Sequence, residues 1–177
     1  MLPDMVYDGQ VLNWNGYKYK ATTGLTDGFL ADTRYPKYQC VPDKGPIPEG
    51  TYKVLLDDKG MATDDGGGKC NLNSGFGFQT IPRGNNAGNC EFYWAQWGYN
   101  RVRLVAADIM TRNVCPSPRD GFYLHDSAKG YTHGCIEVEQ FFFTTLRSYA
   151  KAFKRHSLVL KVKYVKDRQT YGGTRVE

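Results

Sequence analysis

One short segment of this sequence holds the residue types that nucleophilic catalysis requires. His125, His133 and Cys135 lie within a span of ten positions, and the apolar run Phe122-Tyr123-Leu124 directly precedes the first histidine. A cysteine attacks well only as the thiolate, and a free thiol has a pKa near ~8.5, so a neighbouring base such as histidine is needed. The spacing therefore predicts that His125, held at the end of a strand, activates Cys135 as a nucleophile.

The residues around Cys135 favour the same chemistry. Gly134 has no side chain, so the backbone N–H groups around it can receive a developing oxyanion. A helix predicted to begin near Glu137 would place partial positive charge beside the thiol and lower its pKa. The residues alone leave two other interpretations open: a buried cysteine that acts as a small apolar side chain, and a metal site. The spacing His-x7-His-x-Cys lacks the pattern of a zinc site and a fourth ligand, so no metal is expected.

The sequence predicts that β-strands form most of the structure that positions this segment. Asn15-Gly16 predicts a tight hairpin turn between strands over 10–14 and 17–21. Alternating apolar residues over 158–164 predict a closing strand with one buried face. An apolar stripe at helical spacing predicts one helix over 137–155. The remaining predicted features are strands over 51–56, 101–107 and 121–125, a β-rich aromatic block over 92–97, a loop over 57–73 and a polar, frayed tail from about residue 167.

The composition limits the class of protein. The chain has 177 residues, 41% of them hydrophobic and 14% aromatic, which fits one globular domain over 1–177 and excludes a disordered chain. No apolar run reaches the ~18–20 residues of a membrane span, so no membrane association is expected. The net charge of +5 is spread thinly, so no nucleic-acid partner is expected, although an acidic polymer would fit. The N-terminus lacks the pattern of a secretory signal peptide.

Five cysteines are many for a permanently reduced cytosolic protein of this size. Four of them could pair, and one would stay free. Two interpretations remain at this point: a cytosolic protein with reduced thiols, or a protein that is exported by a route that reads no N-terminal signal.

The segment Thr132-His133-Gly134-Cys135-Ile136, preceded by His125 at the end of an apolar strand, resembles the Ser/Thr-His-Gly-Cys signature of L,D-transpeptidases. These enzymes have a YkuD-like catalytic domain and remodel bacterial peptidoglycan. The short distance from His125 to Cys135 is closer to the compact variant in L,D-transpeptidase effectors of type VI secretion systems. Tyr7-Asp8-Gly9, Thr23-Gly24 and the segment 45–52 resemble further features of that group in the same order, so the resemblance spans about residues 7–165.

The resemblance implies a mainly β fold, an L,D-transpeptidase-like sandwich or barrel with one substantial helix after the catalytic cysteine. In this resemblance Cys135 is the nucleophile, His125 is its base, and the backbone carbonyl of Asp126 orients the imidazole. His133 and Gly134 form the oxyanion region, and Thr132 braces the loop. The implied substrate contacts are Thr132, Arg119 and Tyr123. Asp126 stands where the family often has glycine, and Glu137 stands where many members have arginine. If that arginine holds a substrate carboxylate, the role passes to Arg119 or Lys129.

The implied activity is acyl transfer on the tetrapeptide stem of peptidoglycan through a cysteine thioester, as an L,D-carboxypeptidase or L,D-transpeptidase without a cofactor. As an effector, the protein would be an antibacterial toxin, made in the cytoplasm without a signal peptide and active in the periplasm of a target cell. Its partners would then be peptidoglycan stem peptides, an immunity protein and a component of the secretion machine. Cys135 would stay free, and the remaining cysteines, Cys40, Cys70, Cys90 and Cys115, are candidates for two disulfides in one of three pairings.

Three alternatives remain. A housekeeping L,D-transpeptidase of the cell wall would share the chemistry but not the delivery. A non-catalytic, cysteine-rich module that binds the cell wall would carry His125 and Cys135 incidentally. A papain-like or NlpC/P60-like cysteine peptidase usually has its cysteine before the histidine, on a long N-terminal helix, whereas here His125 comes first and the helix follows.

Overall fold

The computed structural model describes residues 2–176 and divides them into ten strands, three α-helices and four 3₁₀ turns. The strands are β1 Met5–Tyr7, β2 Val11–Trp14, β3 Tyr17–Thr23, β4 Gly50–Leu55, β5 Asp58–Met61, β6 Phe78–Thr80, β7 Asn100–Ala106, β8 Phe122–His125, β9 Ile136–Val138 and β10 Ser157–Val162. The helices are α1 Glu91–Trp94, α2 Ile109–Arg112 and α3 Gln140–Phe153. Within the described residues only α3 is longer than four residues, so the mainly β architecture is confirmed.

Eight of the strands close into a barrel. Hydrogen bonding runs in the order β4, β10, β1, β2, β3, β9, β8, β7, and the pairing of β7 with β4 completes the ring. The strands β6 and β5 continue from β7 outside the ring. Two pairings within the ring are parallel, β1 with β10 and β8 with β9. The second parallel pair places the end of β8 beside the start of β9, where His125 and Cys135 lie.

The strands β2 and β3 form the predicted hairpin, with Trp14 opposite Tyr17. Asn15 and Gly16 have φ angles of 50° and 79°, the positive values that a two-residue type I′ turn requires. Asparagine and glycine adopt such angles at low cost, which is why the local sequence predicts this turn correctly. The closing strand predicted over 158–164 is also confirmed, as β10, whose alternate side chains are buried.

The long helix begins later than the sequence predicts. Ile136–Val138 form β9, which pairs with β3 and with β8, and α3 starts at Gln140. Phe142, Phe143 and Leu146 of α3 are buried in the main core, so the apolar stripe itself is real. The predicted start was wrong because the apolar residues of β9 also fit the stripe, whereas backbone pairing on both sides holds them extended.

The aromatic block over 92–97 is helical rather than β. It forms α1 and the 3₁₀ turn Ala95–Trp97. Trp94 is buried in a small second cluster, and its indole N–H donates to the carbonyl of Cys70 at 2.8 Å. Aromatic content favoured strands here, but the burial of one indole on a short helical turn decides the conformation. The predicted loop over 57–73 also contains a short strand, β5.

The polar C-terminal tail is packed against the barrel. The hydroxyl of Thr170 donates to the carbonyl of Thr23 at 2.6 Å, and its N–H donates to the carbonyl of Arg34 at 2.7 Å. The hydroxyl of Thr174 donates to the carboxylate of Glu137 at 2.5 Å, and both threonines are buried. The prediction of a frayed tail was wrong because these polar groups satisfy buried polar groups of the barrel.

Removal of residues 168–177 should therefore lower the melting temperature. The buried hydrogen bonds of Thr170 and Thr174 together contribute about 3 kcal/mol. For a chain of this size a loss of that magnitude lowers Tm by roughly 6–12 °C, which calorimetry would measure. Removal of residues 176–177 alone is the control and should shift Tm by less than about 2 °C. An unchanged Tm after the longer truncation would contradict a stabilising tail.

Candidate active site

The strands β7, β8 and β9 lie side by side and place the candidate site on the outer face of the barrel. His125 on β8 is opposite Arg101 on β7 and opposite Glu137 on β9. Side chains alternate along a strand, so Tyr123 and His125 lie on the opposite face from Leu124, which is in the core. Loops cover the outer face here, and all four residues of β8 are therefore buried.

A cavity of about 470 Å³ opens beside this face. Its lining residues are Pro42, Asp43, Gln96, Trp97, Ser117, Pro118, Arg119, Asp120, Gly121, Phe122, His125, Lys129, Thr132, His133 and Cys135. Five of the site residues predicted from the sequence thus meet at one cavity, namely Cys135, His125, His133, Thr132 and Arg119. The other three, Tyr123, Asp126 and Gly134, are buried and lie outside the lining.

One of the two disulfides joins loops that form the walls of the cavity. Cys40 is bonded to Cys115 and Cys70 to Cys90, while Cys135 is the free thiol of the described residues. The segments that follow Cys40 and Cys115 both supply lining residues. The first disulfide therefore joins two parts of the cavity wall covalently, and the candidate nucleophile stays unpaired.

The imidazole of His125 is buried and is held by its neighbour in space, Trp97. It makes a hydrogen bond with the backbone of Trp97, whose ring lies edge-on at 5.5 Å between centroids. Its Nδ1 has no hydrogen-bond partner within residues 2–176. Burial, followed by the positive charges of Lys129 and Arg101, lowers the pKa of His125 to about 3, although the Trp97 hydrogen bond acts in the opposite direction. The imidazole is neutral at pH 7, and Nδ1 can accept a proton.

Asp126 has a different role from the one that the resemblance implies. The backbone hydrogen bond of the imidazole is with Trp97, and Asp126 acts through its side chain instead. Its Oδ1 accepts from the N–H groups of Tyr99 at 2.6 Å and Asn100 at 2.9 Å. A Cβ at Gly98 would lie 2.3 Å from this oxygen, so only glycine fits there. Asp126 therefore ties the turn that carries Trp97 to the end of β8.

The thiol of Cys135 is not activated in the way that the sequence predicts. The expected effect of a helix N-terminus is wrong, because β9 follows Cys135 directly and α3 begins at Gln140. Burial raises the pKa of the thiol to about 11. A hydrogen bond with the backbone of Tyr123 and the positive charges of Arg101 and Lys129 oppose this rise. Cys135 is therefore protonated at pH 7.

The two reactive groups are neutral together in the resting protein. Because the pKa of His125 is lowered and that of Cys135 is raised, separation into imidazolium and thiolate costs free energy before a substrate binds. If Cys135 acts as a nucleophile, its proton must move to the imidazole as the sulfur attacks, which would be general-base catalysis.

Thr132 braces the turn that leads to Cys135. Its hydroxyl donates to the carbonyl of Cys135 at 2.6 Å and accepts from the N–H groups of Gly24 and Gly134, both at 3.1 Å. Its own N–H donates to the carbonyl of Gly24 at 2.8 Å. Thr132 is buried, so these bonds are protected from water. One side chain thus fixes three backbone positions at and near Cys135.

Gly134 is required by its conformation and by its neighbours. Its φ angle is 131°, and a Cβ there would lie 2.6 Å from Nη2 of Arg119 and 3.0 Å from the ring of Phe122. Its N–H is held by Thr132, so an oxyanion would depend on the other amides of the turn. His133 is exposed, and its Nδ1 lies 3.0 Å from the carbonyl oxygen of Asp43.

The guanidinium of Arg119 is engaged by backbone carbonyls. Its Nη1 donates to Gln39 and Pro46, both at 2.7 Å, and its Nη2 donates to Gly45 at 3.2 Å and His133 at 3.3 Å. Arg119 therefore fastens the loop after β3 to the turn before Cys135. A substrate carboxylate would have to displace these bonds in order to pair with it, so Arg119 is poorly suited to that role.

Lys129 is better placed to meet a carboxylate. It lines the cavity, and its Nζ lies 4.7 Å from the centre of the Tyr131 ring. In the part of the chain that the structure describes, no ion pair involves this group. Burial lowers the pKa of Lys129, while the negative charge of Glu137 raises it. A positive charge that is partly removed from water attracts an anionic ligand strongly.

Glu137 is a buried anion that stabilises the fold around the cavity. Its side chain is fully buried, and Oε1 accepts from the N–H of Gly130 at 2.8 Å and from the hydroxyl of Thr174 at 2.5 Å. Its Oε2 accepts from the N–H of Lys129 at 2.8 Å and from the hydroxyl of Ser127. The carboxylate therefore anchors the loop that carries Lys129.

Sequence reasoning missed Arg101 as part of the site. The guanidinium of Arg101 lies 4.7 Å from the Trp97 ring and 4.4 Å from the Tyr123 ring. Arg101 and Arg103 alternate with apolar residues along β7, a pattern that normally marks a face exposed to solvent. Loops that are distant in sequence cover this face, and no local pattern reveals them.

Comparison with known proteins gave no relative, since neither a family model nor a curated protein matches the chain. None of the helices within residues 2–176 has the length and apolar character needed to cross a membrane. In the same residues, no three His, Cys, Asp or Glu side chains are grouped so that they could hold a metal ion. The function is therefore inferred from the residues that line the cavity.

Acid should destabilise the protein through His125. Its pKa is about 3 when folded and ~6.5 in the unfolded chain, so the unfolded state binds one more proton between these values. The free energy of unfolding should fall by about 1.4 kcal/mol per pH unit from roughly pH 6 to pH 4.5, as chemical denaturation would measure. His125→Asn should flatten this slope, and His156→Asn, at a solvent-exposed histidine, should keep it. If His125→Asn kept the wild-type slope of unfolding free energy against pH, His125 would not be the source of the acid destabilisation.

Proposed function

We propose that the protein is a cysteine-dependent L,D-carboxypeptidase or L,D-transpeptidase that acts on the tetrapeptide stem of peptidoglycan. One observation carries the proposal: Cys135 and His125 line one cavity, and Nδ1 of the imidazole has no hydrogen-bond partner in the described residues. The Thr-His-Gly-Cys signature and the mainly β barrel agree with the L,D-transpeptidase resemblance. The chemistry needs no metal or organic cofactor.

Acylation begins when the stem peptide enters the cavity and displaces water. Nδ1 of His125 takes the proton of the Cys135 thiol as the sulfur attacks the carbonyl carbon of the diamino acid that precedes the terminal D-alanine. Amides of the turn before Cys135, other than that of Gly134, stabilise the negative oxygen of the tetrahedral intermediate. The C–N bond then breaks, the imidazolium gives its proton to the leaving amine of D-alanine, and a thioester remains on Cys135.

Deacylation restores the free thiol. His125 takes a proton from an incoming water or amine, which attacks the thioester carbonyl, and the C–S bond breaks. The departing sulfur receives the proton back from the imidazolium. With water the product is a stem shortened by one D-alanine, with a D-amino acid it is an exchanged stem, and with a second stem it is a crosslink.

Lys129 is the proposed contact for a carboxylate of the stem. The carboxylates of the diamino acid and of D-alanine are anionic, and Lys129 presents a partly buried cation at the same cavity as Cys135. Arg119 shapes the wall through its carbonyl bonds, and the exposed His133 lies at the mouth of the cavity. In this proposal Lys129, which lies on the loop that Glu137 anchors, takes the role that arginine has in many L,D-transpeptidases.

Cys135→Ala should abolish the release of D-alanine from purified tetrapeptide muropeptides, with a loss of at least about 10³-fold in kcat. His125→Ala should lose about 10²–10⁴-fold, since it removes the base. His156→Ala is a matched control at a histidine outside the cavity and should keep wild-type activity. Mass spectrometry of the muropeptides measures the loss or exchange of the terminal D-alanine.

Unchanged turnover by Cys135→Ala would overturn the proposal. A protein that binds sacculi without any change in stem mass, for wild type and variants alike, would instead be a wall-binding module. The assay thus separates the two classes of function with the same samples.

We assign the site of action to the periplasm of a target cell. The two disulfides support this assignment because such bonds persist in oxidising compartments. The proposal also includes delivery by a type VI secretion machine and protection of the producer by an immunity protein. A housekeeping cell-wall enzyme would share the chemistry but would not harm a bacterium that makes it in its own periplasm.

Expression with an added periplasmic signal peptide should therefore be toxic to a Gram-negative host, as colony counts would measure. Expression of the same chain in the cytoplasm should be harmless, because peptidoglycan stems lie outside. The exported Cys135→Ala variant is the control and should be harmless as well. Toxicity that is confined to the cytoplasm would contradict a periplasmic target.

A further inference from the structure

Arg101 is a charged side chain that the proposed mechanism leaves without a role, although it is one of the largest fully buried side chains in the protein. Its Nε donates to Oε1 of Gln79 at 2.9 Å and its Nη2 donates to the carbonyl of Asn73 at 2.6 Å. The groups whose charges act on it are Tyr123, Cys135 and Arg103, and none of them is a carboxylate. Arg101 therefore holds a buried positive charge that neutral hydrogen-bond acceptors solvate.

Such a residue is costly for the fold. A buried charge without a counter-ion lowers stability, and an apolar side chain of similar volume at the same place is often neutral or stabilising. Charged groups kept under such conditions cluster where a protein performs chemistry. The position of Arg101 opposite His125 in the β7–β8 pair is consistent with that tendency.

The guanidinium stacks on the two residues whose backbones hold the reactive pair. It lies 4.7 Å from the ring centre of Trp97, and the backbone of Trp97 makes the hydrogen bond to the imidazole of His125. It lies 4.4 Å from the ring centre of Tyr123, and the backbone of Tyr123 makes the hydrogen bond to the thiol of Cys135. The rings of Trp97 and Tyr123 also contact each other, with centroids 5.0 Å apart.

We propose that Arg101 is a positioning residue that aligns His125 with Cys135 through Trp97 and Tyr123 and favours negative charge on the sulfur. The proposal rests on the proposed function for its consequence in turnover, but its effect on the thiol is independent of any substrate. The planar guanidinium fixes the two rings, and its charge stabilises the thiolate that forms during attack. The same charge disfavours a long-lived imidazolium and so promotes return of the proton to the leaving amine.

Arg101 is one of several charged or titratable groups that face the pair. These groups are Arg101 and Arg103 from β7, Tyr123 from β8, Lys129 from the loop after β8, His133 from the turn before β9, and Arg119 from the segment before β8. Arg101 differs from the others because it contacts both supporting aromatic rings and is fully buried. Its charge is therefore screened least by water.

Two variants separate the charge from the planar stack. Arg101→Met keeps much of the volume and removes the charge, so the rate of Cys135 alkylation by iodoacetamide at pH 9 should fall about tenfold, the change expected for a rise of one unit in the thiol pKa. Arg101→Lys keeps the charge and loses the planar stack. Its alkylation rate should stay within about twofold of wild type, while kcat on muropeptides should fall about tenfold with little change in KM.

The matched control is Arg147→Met. Arg147 also lies over an aromatic ring, 4.1 Å from the centre of Phe78, but it does not line the cavity. This variant should keep the wild-type alkylation profile and the wild-type kcat. Peptide mass spectrometry would locate the label on Cys135, with both disulfides left oxidised during the reaction.

Each outcome bears on the proposal. A wild-type alkylation profile in Arg101→Met would overturn the electrostatic part, and a wild-type kcat in Arg101→Lys would overturn the positioning part. If Arg101→Met does not fold, the positioning part is decided by Arg101→Lys alone, through its kcat. If muropeptides are no substrate even for the wild type, the proposed function fails, while the alkylation rates still test the action of Arg101 on the thiol.

Discussion

The carboxylate of Glu137 is buried on the outer face of the barrel, where it accepts hydrogen bonds from the backbone of Lys129 and Gly130 and from the hydroxyls of Ser127 and Thr174. A buried carboxylate is tolerated only when hydrogen-bond donors satisfy its oxygens. Movement of any of these donors away from Glu137 would leave the carboxylate unsatisfied and would destabilise the fold. The loop that brings Lys129 to the cavity and the C-terminal tail are thereby fixed to β9. The same negative charge offsets part of the positive charge around the site.

Burial on both faces of β8 determines the chemistry that the cavity can support. Withdrawal from water lowers the pKa of His125 and raises that of Cys135, so the pair rests as neutral imidazole and neutral thiol. A neutral pair is protected from stray electrophiles and oxidants, because the thiolate is the reactive form. Lys129 and Arg101 both oppose part of this burial effect on the pKa of Cys135 and add to it on the pKa of His125, so the same cations act on both groups.

Local patterns predicted the parts of the fold that local energetics decide. The turn at Asn15-Gly16 and the alternation along β10 depend on neighbours in sequence, and the structure has both. Three predictions were wrong because the outcome depends on distant contacts. They are the start of the long helix near Glu137, the β-rich block over 92–97 and the frayed C-terminal tail. The sequence also pointed to His125 and Cys135, which line one cavity, but Arg101 on β7 has the pattern of a solvent-facing residue. Only the loops folded over that strand make it part of the site.

The parallel pairing of β1 with β10 sets the order in which this protein can be completed during synthesis. β10 also pairs with β4, so the ring lacks one strand until residues 157–162 have left the ribosome. Thr174, which completes the shell around Glu137, emerges later still. During the last part of synthesis, a nascent chain therefore carries His125 and Cys135 without a finished cavity around them.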